Sequence, residues 1–354
     1  MSRIFVRGAG AVSPAGWGVA ALSAAAVAGD PLPLRDLPRP GWSVPLRIRS
    51  VPPPPAAPAC LAHPRLRRAG QLTQHTVVAA LEALGTDLAE IQAGRLRVGI
   101  IVCLLTGIVA YSRRFYEAVL QDPATASPLL FPETVFNAPA SHLAAYLGAG
   151  TINYTLVGDE GSFLQGLALA AQWINDEPLD GCLVVGGEEM DWPAPDALRH
   201  FSRRAVHGSG AGALYLSATP TAAAVELAAV TDSFTFTLTQ SRTLAARNMR
   251  AQLPAGAPGE LLCLSGRNLS RFDAAETAAW ADWTGPRLAP KEIFGEAFTA
   301  SAAWQCALAC ASLRGGGLAA VNVSVVGGSQ QAIGARFIAL PSREFPMPDE
   351  RNQS

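Results

Sequence analysis

Apolar and polar positions follow two alternating patterns along the chain. Short, continuously apolar runs bounded by glycine or polar residues predict buried strands, and longer stretches with helical periodicity predict helices. The predicted strands are residues 3–7, 97–103, 151–157, 181–186, 212–217, 260–264, 318–326 and 335–340. The predicted helices are residues 17–28, 69–84, 112–121, 139–147, 162–175 and 297–313. This alternation favours a layered α/β fold.

The predicted helix 162–175 is apolar on nearly all of its sides, so we expect it to be deeply buried. The turn Gly-Asp-Glu-Gly at residues 158–161 joins it to the preceding strand, and Ser162 opens the helix. Asp159 and Glu160 therefore lie where unpaired N–H groups and the helix dipole stabilise negative charge. The sequence thus predicts carboxylates at a buried helix start.

Other segments predict less regular structure. Ten prolines fall in residues 30–60, which we expect to form an extended surface segment that covers other elements. Residues 252–259 are rich in turn formers, and residues 344–354 are predicted to be disordered. A strand, buried helix, strand order recurs around residues 151–186 and 287–326, but one sequence leaves duplication open.

Composition narrows the class of protein. Of the 354 residues, 49% are hydrophobic and only 16% are charged, which suits a large core or a large subunit interface. The net charge of −1, without a basic run, argues against a nucleic-acid partner. The six cysteines lie mostly in apolar strands or an alanine-rich helix, so we expect buried thiols in a reducing cytoplasm. No Cys/His spacing fits zinc, so neither a metal nor another cofactor is expected.

Two apolar stretches imitate membrane or export signals. Residues 98–111 are continuously apolar but too short to cross a bilayer, so they predict buried core. Residues 19–29 are similar to the apolar region of a signal peptide. A strand predicted just before them, together with Pro14, Gly16 and Gly18, argues against that interpretation. We therefore expect a cytoplasmic protein without membrane insertion.

A series of motifs resembles one enzyme family in order along nearly the whole chain. Residues 131–189 contain Asn-Ala-Pro-Ala, Leu-Gly before a strand, the turn before the buried helix, and a Gly-Gly-Glu-Glu ending. Residues 3–18, 208–217, 290–309 and 321–332 extend the likeness. Together they resemble the β-ketoacyl synthases. The resemblance implies a thiolase-like fold, layered α-β-α-β-α, with mixed sheets and a buried central helix pair.

The resemblance also implies an organisation into two halves. Residues 1–218 match the N-terminal half of a ketosynthase and residues 219–354 the C-terminal half, which together form one intertwined unit. Asn322, Gly327 and Gly328 match the family's Asn-Ser-Phe-Gly-Phe-Gly-Gly segment, although its phenylalanines are missing.

The reactive positions of the family are replaced in this chain. In the family, a cysteine at the helix start takes the acyl group, and two histidines bind and activate the malonyl partner. Alignment along the helix puts Glu160 at the cysteine position. Asp273 and Glu276 keep their offsets from the first histidine position, where this chain has Ser265.

The second histidine position is also changed. In the family this histidine follows a lysine by five residues; here Lys291 is kept and Glu296 takes the histidine's place. An acylated Glu160 would be a mixed anhydride, higher in energy than a thioester, and an ionised Glu296 would repel a malonyl carboxylate. The motif Val-His-Gly-Ser-Gly-Ala-Gly does not restore the missing groups, because His207 aligns with an ordinary family position. We expect the chain alone to be inactive in condensation.

Three interpretations of Glu160 remain open at this stage. It could simply complement the helix dipole, or it could pair with Lys291 or Arg267 and plug a vestigial pocket. It could also act in acid–base catalysis together with Glu296, given a pKa raised by burial.

The replaced positions suggest a specific role. Type II polyketide systems pair an active ketosynthase with a similar but inactive subunit, the chain-length factor. This chain resembles that subunit and the short ketosynthase-like subunits of aryl-polyene systems. The resemblance implies a heterodimer with a catalytic ketosynthase, a shaped acyl tunnel, and contact with acyl carrier protein through the complex. Chain-length factors usually carry glutamine at the cysteine position, so Glu160 departs even from that pattern.

Two other functions are kept as alternatives. One is an enzyme of altered chemistry on the same fold, an acyltransferase, thioesterase or decarboxylase that uses Glu160 or Ser265. The other is an unrelated dinucleotide-binding protein, suggested by Gly8 and Gly10. That motif is weak, because Ser13 stands where a glycine is required and the following proline disrupts the helix start.

Overall fold

The strands and helices alternate as the hydrophobic pattern predicts. The structure is a computed structural model that describes residues 2–148, 150, 152–221, 224–254 and 256–340. Within these residues the strands are β1 (Phe5–Ser13), β2 (Gly16–Trp17), β3 (Arg35–Leu37), β4 (Leu46–Arg49), β5 (Val98–Leu104), β6 (Asn153–Val157), β7 (Gly181–Glu188), β8 (His207–Gly208), β9 (Gly210–Ser217), β10 (Val225–Val230), β11 (Phe234–Thr235), β12 (Glu260–Cys263), β13 (Arg287–Leu288), β14 (Ala320–Val326) and β15 (Gln331–Ala339). The helices are α1 (Val19–Ala28), α2 (Gln71–Leu84), α3 (Leu88–Gln92), α4 (Val109–Gln121), α5 (Ala138–Leu147), α6 (Gly161–Asp176), α7 (Pro193–Leu198), α8 (Arg242–Ala251), α9 (Ser270–Ala279), α10 (Pro290–Phe294) and α11 (Phe298–Arg314).

The main sheet repeats one strand order twice. Its first half runs β6–β5–β7–β9–β1 and its second half β13–β12–β14–β15–β10, with β1 and β10 paired at the seam. In each half the first three strands are parallel, and the last two join antiparallel. The repeated order supports the duplication that the sequence left open. The division at residue 218 remains a proposal.

The helices form three layers around the two halves of the sheet. Helices α6 and α11 pack on each other and on strands of both halves, so they form the expected buried central pair. On the outer faces, α2 and α5 cover the first half, and α8 and α9 cover the second. Alternate residues of β5 show the two faces: Ile101 and Cys103 belong to the central core, and Ile100 and Val102 to the outer one. The α-β-α-β-α prediction is confirmed.

The first strand differs from its prediction in length. Instead of ending at residue 7, it continues to Ser13, because β9 pairs with it as far as Val12. Gly8 and Gly10 lie within this strand, where a Cβ would overlap backbone oxygens of α2. Their role is therefore a close approach of helix to strand, and the phosphate-binding turn of a dinucleotide site is absent from this segment.

The sequence missed most elements between residues 219 and 289. Strand β10 and helices α8 and α9 were not predicted. Helix α8 is short and polar on average, and its buried face consists of Ala245, Ala246 and Met249. It has a local start signal in the N-cap Ser241, whose side chain accepts a hydrogen bond from the N–H of Leu244. Helices α8 and α9 supply Arg242, Arg271 and Phe272 to the wall of the cavity described below.

Three further predictions concern whole segments. The apolar segment 98–111 contains the fully buried strand β5, as predicted. The proline-rich segment is extended and largely exposed, with β3 and β4 forming a small sheet with β8. The predicted disorder at 344–354 and the first residue of predicted strand 151–157 lie outside the described residues. In the described part of the chain, no helix combines the length and apolarity that a bilayer span requires.

Candidate functional site

Glu160 lies at the start of the buried helix α6, as the sequence predicts. Strand β6 ends at Val157, and the turn places Glu160 directly before Gly161, with its side chain fully buried. An ionised carboxylate at such depth is very costly unless charged partners and hydrogen bonds compensate it. The surroundings of this one side chain therefore define the site.

Four charged side chains compensate one another at this point, and we call them the charge quartet: Glu160, Arg267, Lys291 and Glu296. Lys291 Nζ lies 3.1 Å from Glu160 Oε1 and 2.8 Å from Glu296 Oε2. Arg267 bridges the same two carboxylates, with Nη2 2.5 Å from Glu160 Oε1 and Nε 3.1 Å from Glu296 Oε2. The backbone N–H of Gly328 donates to Glu160 Oε2 at 2.9 Å. Two positive and two negative charges thus balance inside the protein.

The quartet sets the protonation of its carboxylates. Burial alone raises the pKa of Glu160, but the nearby charges of Lys291 and Arg267 outweigh burial and hold that pKa well below its usual range. For Glu296, burial is the larger effect and raises the pKa, and the negative charge of Glu160 adds to it. The carboxylate of Glu160 is therefore a fixed anion rather than a proton carrier.

Asp159 connects the turn before α6 to the loop between β14 and β15 through hydrogen bonds. Its carboxylate accepts hydrogen bonds from the backbone N–H of Gln330 and Gly161 and from the side chain of Gln331. A Cβ at Gly327 would overlap this carboxylate, so the loop approaches the turn only because residue 327 is glycine. Burial, followed by the charge of Glu160, raises the pKa of Asp159. Asp159 thus joins the two halves of the molecule beside the quartet.

Ser265 is tied into a separate buried network. Its hydroxyl donates to Glu276 Oε1 at 2.9 Å and accepts from the N–H of Val326 at 2.9 Å. The hydroxyl of Ser324 donates to the same carboxylate at 2.6 Å, and Trp280 Nε1 donates to Ser324. Because its hydroxyl both donates and accepts a hydrogen bond, Ser265 supports the local structure and is not available as a nucleophile.

A cavity of about 580 Å³ opens from the charge quartet to the surface. Its floor contains Arg267, Glu296 and Gly328, and exposed Phe201 and Leu238 mark its mouth. The volume lies in the range typical of small-molecule sites. The remaining lining residues are mainly apolar or cationic: Leu105, Leu198, Ser202, Ala205, His207, Phe236, Thr237, Arg242, Leu269, Arg271, Phe272, Phe298 and Ser329.

Several functional candidates in this cavity escaped sequence reasoning. His207 lines it and stacks on Phe298, with ring centroids 6.1 Å apart. Phe298 has a positive φ of 43°, which is strained for a side chain of this size. Arg242 contacts the rings of Phe236 and Phe272. For His207, the one signal in the sequence is that a histidine occurs in an apolar, glycine-rich segment. The alignment of its motif had instead assigned it to an ordinary family position.

The other predicted residues lie outside the cavity lining. Ser162 is buried in the first turn of α6. Asn322 accepts a hydrogen bond from Arg336, which also pairs with Glu260, so it belongs to a hydrogen-bond network separate from the quartet. Within the residues that the structure describes, no cluster of three side chains could hold a metal ion.

Comparison with solved structures places the fold. The chain superposes on a β-ketoacyl synthase from Burkholderia phymatum STM815 with a TM-score of 0.79 and 18% identity, covering 96% of this chain and 100% of that one. A chain of the Xenorhabdus doucetiae ketosynthase (ApeO) in complex with its chain length factor (ApeC) gives 0.76 and 15%, with 96% and 98% covered. The ishigamide ketosynthase/chain length factor gives 0.74 and 19%, with 96% and 100% covered. No family model matches the sequence, and a search among curated proteins finds no match.

These likenesses define the class of fold. Full-length superposition at low identity shows that the chain has the same fold as these ketosynthases, the layered thiolase-like fold, and its structural neighbours include chain-length-factor complexes. The predicted fold is confirmed.

Proposed function

We propose that the chain is a non-condensing, ketosynthase-like subunit of the chain-length-factor type. It pairs with an active ketosynthase and shapes the acyl tunnel of a type II polyketide or fatty-acid-like pathway in the cytoplasm. The observation that carries the proposal is the charge quartet, which fills the position of the family's nucleophile with a permanently paired carboxylate. A paired Glu160 cannot take an acyl group, and Ser265 is already bonded in both directions.

An exposed sheet edge supports the pairing. Strand β6 is the last strand at one end of the main sheet, and Tyr154 and Val157 on it are 54% and 56% exposed. Ile152 beside it and Phe131 and Phe136 nearby in the chain are exposed as well. An unpaired edge with apolar side chains favours pairing with another chain. A second thiolase-fold subunit that offers its own edge strand is the partner we propose.

The structural neighbours support the same proposal. One of them is a ketosynthase in complex with its chain length factor, and another is a type II acyl carrier protein in complex with its ketosynthase. We infer that this chain contacts acyl carrier protein through such a complex. The proposed product class includes the polyenes of aryl-polyene-like systems.

Co-expression tests the proposal directly. The chain is produced alone and together with a ketosynthase that has an intact cysteine and two histidines, and each product is sized by multi-angle light scattering. We expect a one-to-one complex that extends acyl chains on carrier protein, and no extension by this chain alone. A stable monomer that ignores the ketosynthase would refute the pairing.

Activity of the isolated chain would refute the non-condensing assignment. Acyl-carrier thioesters are incubated with the wild type and with the variants Glu160→Gln and Ser265→Ala. We expect no turnover above background in any of the three. Hydrolysis, decarboxylation or transfer by the wild type that either variant abolishes would establish an enzyme of altered chemistry instead.

A further inference from the structure

A second cavity of about 450 Å³ adjoins the cavity above the quartet. The segment 198–203 borders both of them. Its residues Arg199, His200 and Arg203 line the second cavity, and its other three residues line the first. The two cavities are therefore parts of one continuous surface.

The second cavity carries an excess of positive charge. Three arginines line it, Arg39, Arg199 and Arg203. Asp196 is the only carboxylate among the described residues of the lining, and Arg39 Nη2 binds its Oδ2 at 2.8 Å. Arg199 lies 3.9 Å from Asp196, and Arg203 makes no ion pair or hydrogen bond in the described part of the chain. These guanidinium groups suit a phosphate oxygen.

Large apolar side chains protrude around both cavities. Trp42 and Val44 line the second cavity and are 63% and 73% exposed. Phe201, which is 79% exposed, and the fully exposed Leu238 line the first. Arg39 covers one face of Trp42, with its Cζ 3.7 Å from the ring centroid, so the ring is held in place while much of it faces solvent.

A lipid bilayer complements both properties of this surface. Arginines near an anionic membrane bind lipid phosphates, and aromatic and aliphatic side chains enter the boundary between head groups and acyl chains. Arg242 and Arg271 add two further cations on the wall of the first cavity. A folded protein partner would need a matching pocket for each protruding side chain, whereas lipid deforms around them.

We propose that this docking surface, which includes Trp42, Arg199, Phe201, Arg203 and Leu238, attaches the chain to an anionic lipid bilayer. The second cavity takes a lipid phosphate on Arg199 and Arg203, and the apolar side chains enter the head-group region. Attachment of this kind is peripheral. It goes beyond the proposed function and does not depend on a ketosynthase.

Vesicle flotation of the purified chain tests the docking surface. We expect binding to vesicles of phosphatidylcholine with phosphatidylglycerol, little binding to phosphatidylcholine alone, and release as ionic strength rises. The double variant Arg199→Gln with Arg203→Gln should bind about thirtyfold more weakly, because two cations leave the membrane surface. Phe201→Ser with Leu238→Ser should bind about tenfold more weakly.

Two matched controls change other exposed side chains. Arg65→Gln with Arg67→Gln removes the same charge from exposed arginines that border neither cavity, and it should bind as the wild type does. Val27→Ser removes an exposed apolar side chain of α1 and should also bind normally. All variants should keep the melting temperature of the wild type, because the altered side chains are exposed.

The other outcomes would overturn the docking surface. These are equal binding to both kinds of vesicle, no binding to either, and unchanged binding by the arginine variant. Tighter binding of glycerol 3-phosphate than of vesicles would identify a soluble phosphate ligand instead. Binding of a carrier protein that the arginine variant loses, without any binding of vesicles, would identify a protein partner. Because the chain is tested without a ketosynthase, failure here leaves the proposed pairing standing.

Discussion

At the scale of single residues, the site works by charge balance. Glu160 would be intolerable at zero exposure if it were alone, and each of its oxygens has a partner. Lys291 and Arg267 also bind Glu296, so the four side chains form one cooperative unit rather than two separate ion pairs. Removing any one member therefore leaves a buried charge without compensation.

Neutralising Glu160 should destabilise the protein strongly. In Glu160→Gln, Glu296 alone faces Lys291 and Arg267, and we expect a loss of about 3 kcal/mol in the free energy of unfolding. The double variant Glu160→Gln with Lys291→Met restores the balance and should be more stable than Glu160→Gln alone. Urea unfolding measures the free energy of unfolding of the wild type, of the two single variants Glu160→Gln and Lys291→Met, and of the double variant. Glu90→Gln, which removes an exposed ion pair, should lower this free energy far less. If the losses of the two single variants simply add in the double variant, the quartet is not coupled.

The buried carboxylate of Glu189 should make the stability of the protein depend on pH. Burial raises the pKa of Glu189 to about 7; its Oε1 accepts from the N–H of Ala110, whereas Oε2 has no partner in the described structure. The folded state therefore binds a proton more tightly than the unfolded one, and its contribution to stability is lost as pH rises from about 4.5 to 7. Glu189→Gln mimics the protonated form. We expect it to match the wild type at pH 4.5 and to exceed it by about 3 kcal/mol at pH 8.

Glu189→Gln must be compared with the wild type at each pH, because other buried groups change the stability in the opposite direction as pH rises. Burial lowers the pKa values of His75 and His207 to about 4, so their contribution grows as pH rises towards 6.5. The two histidines contribute equally to both proteins, so their contribution cancels when the free energy of unfolding of the wild type is subtracted from that of Glu189→Gln. Exposed Glu177→Gln serves as control, and a difference that does not vary with pH would show that folding does not raise the pKa of Glu189.

The sequence could predict part of this residue-scale picture. The spacing of the motifs placed Glu160 at the family's cysteine position and suggested Lys291 or Arg267 as partners. The participation of both cations at once could not be read from spacing, because it depends on how the loop that carries Arg267 and the helix α10 that carries Lys291 converge on one oxygen.

At the scale of elements, strongly apolar segments were predicted well and polar ones poorly. Strand β5 and helix α11 are buried on nearly all sides, whereas α6 is buried in its first turn and on one side and exposes Gln165, Ala168 and Gln172; their hydrophobicity alone located all three. Helix α8 is polar on average and α9 has little apolar periodicity, so a search for apolar segments did not locate them. The part of the cavity wall formed by Arg242, Arg271 and Phe272 was therefore missed, whereas Arg267, Glu296 and Gly328 on its floor were named from the sequence.

Charges on the edge strand β6 should prevent association. In the double variant Tyr154→Lys and Val157→Lys, two exposed apolar side chains become like charges on the edge that we propose for pairing. We expect loss of the complex with the ketosynthase in sizing experiments, with an unchanged melting temperature for the chain itself. Leu244→Lys replaces a similarly exposed side chain on α8 and should leave the complex intact. Retention of the complex by the β6 variant would exclude this edge.

At the scale of the whole molecule, the two halves share one core. Both central helices contact strands of both halves, so neither half can bury its inner face without the other. The resemblance to ketosynthases predicted this arrangement because its motifs occur in order along the chain. The continuous sheet through the β1–β10 seam was not predicted, because pairing between distant strands leaves no local trace.

The placement of the quartet on the two halves has a consequence for splitting the polypeptide. Residues 1–218 supply one carboxylate, and residues 219–354 supply two cations and one carboxylate, so each fragment alone carries an excess of one opposite charge at its contact face. Fragments produced separately should recombine on mixing, and higher ionic strength should slow their recombination. Stopped-flow fluorescence of the mixed fragments measures this rate. The ion pairs that neutralise Glu160 would then also help the two fragments to recognise each other.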